Sequence, residues 1–376
     1  MIAFFRRFAA LVCALAFLCG SACAAGHKAN QRRIEEICRE CGAVGLAAVY
    51  VRGGTVEDAY AWGYATRFSD PMTPDTVVRV ASISKVLVGL AAHLAAQQGL
   101  MDLDDRLDIP LGYSIARRSS QDVISPRSIL THTSSIYPLP QASGVYDQVK
   151  ELLQDPENIY PNTSGNLRDW DYNNFAFYAL GMAVERAVGR TLDEYLNAAL
   201  CDALDINASF WGGDLKNTAH IATLYNAKHK PVLTVEMQTD IHSAGPGTNG
   251  SVFAGNYHIS ARDLGKIVAV LAADGCYEGR RVLSAQVVED MEAHEDRLVP
   301  EHDFYQAQPL RLREDLYGRA ALYYHTGSAY GAQCMICYDP QAGDGIVVLS
   351  SGGSGVDRYG LYRVCGKIAE LLLNNK

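Results

Sequence analysis

Positive charge is scarce in this sequence. Against 42 acidic residues stand 33 lysines and arginines, a formal net charge of −9. Nucleic-acid binding needs a concentrated basic face, and this balance gives it no support. Internal repeats, low-complexity tracts and linker-like runs are missing too. Past residue 24 no stretch is long and apolar enough to span a bilayer. What remains is an ordinary globular composition of 376 residues, 48% hydrophobic and 20% charged, enough for a sizeable core.

The first residues stand apart. "MIAFFRRFAALVCALAFLCGSACAA" opens with Arg6 and Arg7, continues as an apolar run and ends in small residues. Ala22-Cys23-Ala24 is an A-x-A cleavage signal, so residues 1–24 are expected to be an export signal. Its removal leaves a periplasmic or secreted chain. The alternatives are an uncleaved anchor, for which the run is short, and lipid attachment at Cys23, for which Gly20 is a poor residue three positions upstream. Membrane association is expected only in those two cases. Cleavage takes away Arg6 and Arg7 and no acidic residue, moving the formal charge from −9 to −11.

Of ten cysteines three fall in that segment, leaving Cys38, Cys41, Cys201, Cys276, Cys334, Cys337 and Cys365. Seven is odd, so at least one thiol stays free or pairs between chains. Two C-x-x-C spacings raise zinc or redox chemistry. The second, in "GAQCMICYD", reads as a strand, where positions three apart face opposite ways. The first, in "ICRECG", lies on the apolar stripe of a helix with Ile34 and Ile37. Both read better as buried thiols, and no metal is expected.

Along the chain, "QRRIEEICRECG" has helical spacing stopped by Gly42. "VGLAAVYVR" and "TVEDAYAWGYAT" flank Gly53-Gly54, the chemistry of a two-residue hairpin. A short strand at Val77–Val80 feeds the helix of "SISKVLVGLAAHLAAQQGL". In the middle, Ser125 before Pro126 starts a helix, and "NFAFYALGMAVERAVG" is helical up to Gly189. "TLDEYLNAALCDAL" opens with the capping box Thr191/Glu194, and "SARDLGKIVAVLAADG" runs from Ser260 to Gly275. "RAALYYHTG", "AQCMICYD" and "DGIVVLSS" predict strands, and a helix over Val356–Leu373 closes the chain. The expected fold is α+β, one domain over 25–376. An antiparallel sheet from both chain ends (about 28–80 and 318–376) is flanked by the terminal helices. A mostly helical part, about 81–317, is inserted, with a cleft between. If a disulfide forms, it joins Cys38 or Cys41 to Cys365, because terminal helices flanking one sheet lie together.

Three short motifs carry chemistry. Ser82 and Lys85 stand one helical turn apart at a helix start, so a hydroxyl and an ammonium share a face. A desolvated lysine can take the serine proton, and the helix N-terminus offers N–H groups to an oxyanion. Tyr172-Asn173-Asn174 precedes another helix. There a tyrosine beside a cation can shuttle protons, and the Asn174 amide can bond the lysine and a substrate carbonyl. His325-Thr326-Gly327 ends a strand, where glycine admits substrate backbone, Ser328 offers a second oxyanion N–H, and His325 and Thr326 can contact a carboxylate or ester. Taken alone, the first two read better as a chance pair on a surface helix and a capped turn, and the third also reads as a strand end before a turn.

In this order, S-x-x-K, Y-x-N and H-T-G resemble the serine acyl-enzymes related to class C β-lactamases and penicillin-binding DD-peptidases, a family that includes esterases and D-amino-acid peptidases. "SILTHTSSI" and "YHISARDLGKIVAVLAADGCYEGRRVLS" extend the resemblance over roughly residues 44 to 351. It implies a β-lactamase/transpeptidase-like fold and attack by Ser82 on a carbonyl, with Lys85 and Tyr172 sharing the proton transfers. The N–H groups of Ser82 and Ser328 hold the oxyanion, and water hydrolyses the acyl-enzyme with Tyr172 as base. Asn174 orients Lys85 and substrate, and no cofactor is required. His132, in "THTSS", resembles a structural turn and stays outside the site. A family lysine in the third motif would supply a permanent cation; His325, mostly neutral at pH 7, weakens the case for a dedicated β-lactamase. The expected substrate is a cell-wall peptide, an ester or a β-lactam. The alternative is a silent relative that binds cell-wall peptides or a partner. "IHSAGPGTNGS", Ile241–Ser251, is expected to be a mobile loop rimming the cleft.

Overall fold

A computed structural model describes residues 25–118, 122–161, 164–218 and 220–374; the expected export segment, 1–24, lies outside them. Helix α1 covers 25–41 and ends at Gly42 (φ +71°). Strands β1 (Gly45–Arg52) and β2 (Thr55–Thr66) follow, joined at Gly53 and Gly54, both with positive φ (+55° and +75°) as a tight hairpin turn demands. The sheet also holds β3 (Asp70–Pro71), β4 (Tyr305–Gln306), β5 (Arg311–Leu316), β6 (Arg319–Gly327), β7 (Ala332–Asp339) and β8 (Asp344–Ser351). Its eight strands run in the order β4-β5-β6-β7-β8-β1-β2-β3, each pair antiparallel.

Period-two alternation assigns the two faces. Ala47, Val49, Cys334, Val347 and Leu349 face one core; Leu46, Ala48, Cys337, Ile346 and Val348 face the other. The two cysteines of "QCMIC" therefore sit on opposite sides of β7, as the strand reading requires. On the second face lie both terminal helices, α1 through Ile34, Ile37, Cys38 and Cys41, and the last helix, Arg363–Asn374, through Val364, Cys365, Ile368 and Leu372. The terminal helices do lie together, yet all seven described cysteines are free thiols, so the Cys38 or Cys41 to Cys365 bond is not formed.

Two boundaries differ from the sequence reading. The sheet takes in chain from Tyr305 onward, not from 318, because β4 and β5 are short and mostly polar and carry little strand signal. The final helix begins at Arg363, seven residues late: Gly355 and Gly360 adopt positive φ, and Asp357 accepts the Tyr359 and Leu361 N–H groups in a turn. The helix Ala261–Ala272, capped by Ser260, packs on the first face of the sheet and so belongs to the α/β part.

The inserted part is built on α2 (Ser84–Gln97), buried from Ser84 to Ala95, and α3 (Asn174–Val188), which pack on each other. Among the described residues no helix is long and apolar enough to cross a membrane.

Candidate active site

Ser82 sits where an extended run is forced to turn. The strand Val77–Arg79 pairs with His258–Ser260, and Val80 donates its N–H to the Tyr257 carbonyl (2.9 Å). Ala81 then adopts φ +49°, sparsely populated for a residue with a Cβ. The Ser84 hydroxyl holds this turn, donating to the Ala81 carbonyl (2.6 Å) and accepting the Tyr257 N–H (2.8 Å). Ser82 thus lies in the 3-10 turn Ala81–Ile83, just ahead of α2. The three-residue register survives: the wholly buried Lys85 donates from Nζ to Ser82 Oγ at 3.2 Å. It donates more closely, at 2.6 Å, to the Ala254 carbonyl.

Tyr172 precedes α3, whose N-cap is Asn173, accepting the Ala176 N–H (3.0 Å) and donating to the Ile136 carbonyl (2.7 Å). The phenol ring lies 5.0 Å from the Lys85 ammonium and 4.5 Å from the buried His132 ring. From the other side, β6 packs against the Ser82 turn. A Cβ on Gly327 would stand 2.1 Å from the Val80 carbonyl and 3.3 Å from the Ser82 nitrogen. The glycine therefore admits the protein's own backbone and not substrate backbone, and it sets Ser328 beside the serine. A cavity of about 320 Å³ opens here, lined by Ser82, Tyr172, Asn174, Arg311, His325, Thr326, Ser328 and Tyr362.

A family model described as Beta-lactamase matches residues 30–364. The chain belongs to that family.

The β-lactamase family is one of serine hydrolases. Esterase EstB of Burkholderia gladioli is 29% identical over 192 residues, 45% of this chain and 46% of the esterase, so the match spans less than half of that relative's length. Among solved structures, a beta-lactamase/D-alanine carboxypeptidase from Pseudomonas syringae superposes with a TM-score of 0.73 at 18% identity, covering 94% of this chain and 99% of that one. A D-amino acid amidase from Ochrobactrum anthropi gives 0.71 at 20%, covering 93% and 97%. At such identities the likeness establishes the fold.

Electrostatics at this β-lactamase-family centre are set by burial and by the mutual influence of Lys85, Tyr172 and Arg311. Burial pushes Lys85 below the usual lysine range, against the pull of Tyr172. Burial would raise Tyr172, but the Lys85 ammonium and hydrogen bonding from Lys85 and Ser82 outweigh it, and the phenol falls below its ordinary value. His325, buried at 2% exposure, is held well below 6.5, first by burial and then by Arg311 and Lys85. That direction keeps it neutral at pH 7, in line with the expectation for a histidine whose pKa is not raised.

Two sequence expectations change here, and one gains detail. Asn174 lines the cavity, but the Lys85 ammonium engages Ser82 Oγ, the Ala254 carbonyl and Tyr172 rather than Asn174. The Ile241–Ser251 loop does not rim the cavity; backbone bonds tie it to Glu185 and Gly144. His132 stays outside the cavity but packs on Tyr172 and accepts the Asn173 N–H at 3.2 Å. Two lining residues were missed. Arg311 opens β5, its guanidinium 5.6 Å from the Tyr172 ring and 4.7 Å from Phe304. Tyr362 hydrogen-bonds Ser328. A larger hollow of about 850 Å³, near Asp70, Thr76 and Tyr225, holds no serine–lysine pair. Among the described residues no group of His, Cys, Asp or Glu is disposed to hold a metal ion.

Proposed function

We propose that this chain is an exported serine hydrolase that forms an acyl-enzyme on Ser82 with a small amide or ester bearing a carboxylate. Ser82 Oγ attacks the carbonyl carbon and its proton passes to the Lys85–Tyr172 pair. The N–H groups of Ser82 and Ser328 receive the oxyanion. The bond to the leaving nitrogen or oxygen breaks as the pair returns that proton to it. Water then attacks the acyl carbon, Tyr172 takes its proton, and Oγ leaves reprotonated.

The observation that carries this reading is convergence: Ser82, Tyr172 and the Arg311 guanidinium line one cavity of about 320 Å³, with Lys85 bonded to Ser82 beneath. Arg311 supplies from β5 the cation that the third motif lacks, which returns β-lactams and peptides ending in a carboxylate to the substrate list. The named esterase and amidase relatives support the range of acyl groups, and the Arg6-Arg7, apolar run and A-x-A pattern support export.

The test is a pair of esters differing only in a carboxylate. The wild type should prefer the charged one, and Arg311→Gln should lose that preference, raising its KM roughly ten- to hundredfold as a charged hydrogen bond is removed. Equal kcat/KM for both esters in both proteins would refute the carboxylate assignment.

A further inference from the structure

Lys85 is aimed at Ser82 by the Ala254 carbonyl, its closer partner at 2.6 Å. Ala254 ends the short turn Ser251–Ala254, which continues directly from the Gly-rich loop Ile241–Ser251. Several contacts hold that loop: Ser251 is bound by Asn249 Oδ1, Gly250 donates to the Gly144 carbonyl (2.8 Å), and Tyr146 donates to the Thr248 carbonyl (3.0 Å). Another is to a buried carboxylate: Gly247 donates its N–H to Glu185 Oε2 at 2.6 Å.

Glu185 sits on α3 at 3% exposure, and its other oxygen accepts the Leu192 N–H at 2.9 Å. Among the described residues no cation pairs with it. Arg186 turns away, its Nε donating to the Pro110 carbonyl and its guanidinium lying 5.2 Å from the Tyr146 ring. The helix Leu192–Leu196 adds only Asp193 and Glu194, themselves engaged by Ser209 and Phe210 and by Thr191. In the loop, His242 pairs with Asp214.

We propose that Glu185 is a positioning residue whose carboxylate tethers the Gly247 loop and, through it, fixes the carbonyl that aims Lys85. The proposal rests on the reading of Lys85 as part of the proton relay. Burial raises Glu185 to about 7, with the Gly247 and Leu192 N–H bonds opposing and Asp193 and Glu194 adding to the rise. A protonated carboxyl turns one of its oxygens into a donor facing an N–H, so the tether loosens as pH falls through about 7. For global stability the sign is opposite. A carboxyl raised from 4.5 to about 7 favours the fold below pH 4.5, and that contribution is lost as pH rises through about 7. The ionised tether is therefore kept at a cost to stability, as a positioning role would require.

Hydrogen exchange over residues 241–256, corrected for intrinsic rates, tests this in wild type, Ser82→Ala and Glu185→Gln at pH 6 and 8. Acylation by p-nitrophenyl acetate is followed in parallel. Wild type and Ser82→Ala should exchange about tenfold faster at pH 6 than at pH 8, the worth of one charge-assisted hydrogen bond. Glu185→Gln should exchange fast at both, with its acylation rate lowered and stripped of the ionisation near 7. Protection that is independent of pH in the wild type, or unchanged in Glu185→Gln, overturns the proposal. Should Glu185→Gln not fold, the pH dependence of the wild type decides. If no protein is acylated, the exchange result still stands alone, so failure of the hydrolase reading is told apart from failure of the tether.

Discussion

At Tyr172 packing bears directly on the proton chemistry proposed for the site. His132 and the Asn173 cap fix its place, and Lys85 lowers its pKa against the effect of burial. Tyr172→Phe keeps the ring and its contacts, so the fold should be unchanged, while loss of a general base slows acylation by about 10²- to 10⁴-fold. Burst kinetics with an activated ester, checked beside a thermal melt, measure this; an unchanged burst rate removes Tyr172 from the relay. Ser82, Lys85 and Tyr172 were legible as candidates because S-x-x-K, Y-x-N and H-T-G occur in that order, and the structure brings the three side chains together. Arg311 and Tyr362 were not. They reach the cavity through strand pairing and a loop–helix junction, and the mostly polar "RLRED" offers little signal to a reader of sequence.

Among the elements, β6 does the most to build the site. Its last residue must be glycine, since a Cβ would meet the Val80 carbonyl at 2.1 Å. Gly327→Ala is expected to cost about 1–3 kcal/mol, the range for overpacking, and to push Ser328 away from Ser82. Both a lowered Tm and a slower acylation should appear; a normal rate at lowered Tm would detach β6 from the oxyanion site. The strands "RAALYYHTG", "AQCMICYD" and "DGIVVLSS" match the observed bounds because β-branched and aromatic residues fill two buried faces between Gly, Pro and Asp breaks. The last helix was overextended because "VDRYGLY" has helical spacing, whereas the Asp357 turn and two positive-φ glycines govern it.

At the scale of the molecule, both chain ends close one face of the sheet, so the site depends on residues far from it. Ile34, Ile37, Cys38 and Cys41 of α1 are at most 3% exposed. At about 1.5–3 kcal/mol for each of the two isoleucines, with two buried thiols besides, their loss takes a large share of a typical total stability of about 5–15 kcal/mol. A chain starting at Gly45 should not fold, whereas one starting at residue 25 should melt like the full chain; circular dichroism compares them, and a cooperative melt of the shorter chain would contradict this ledger. The central claim concerns one oxygen atom. Time-resolved intact mass of the folded chain with benzylpenicillin and with p-nitrophenyl acetate, beside Ser82→Ala, tests it most directly. The account predicts an acyl adduct on the wild type and none on Ser82→Ala. An adduct persisting on Ser82→Ala, or none on the wild type with either reagent, would contradict it.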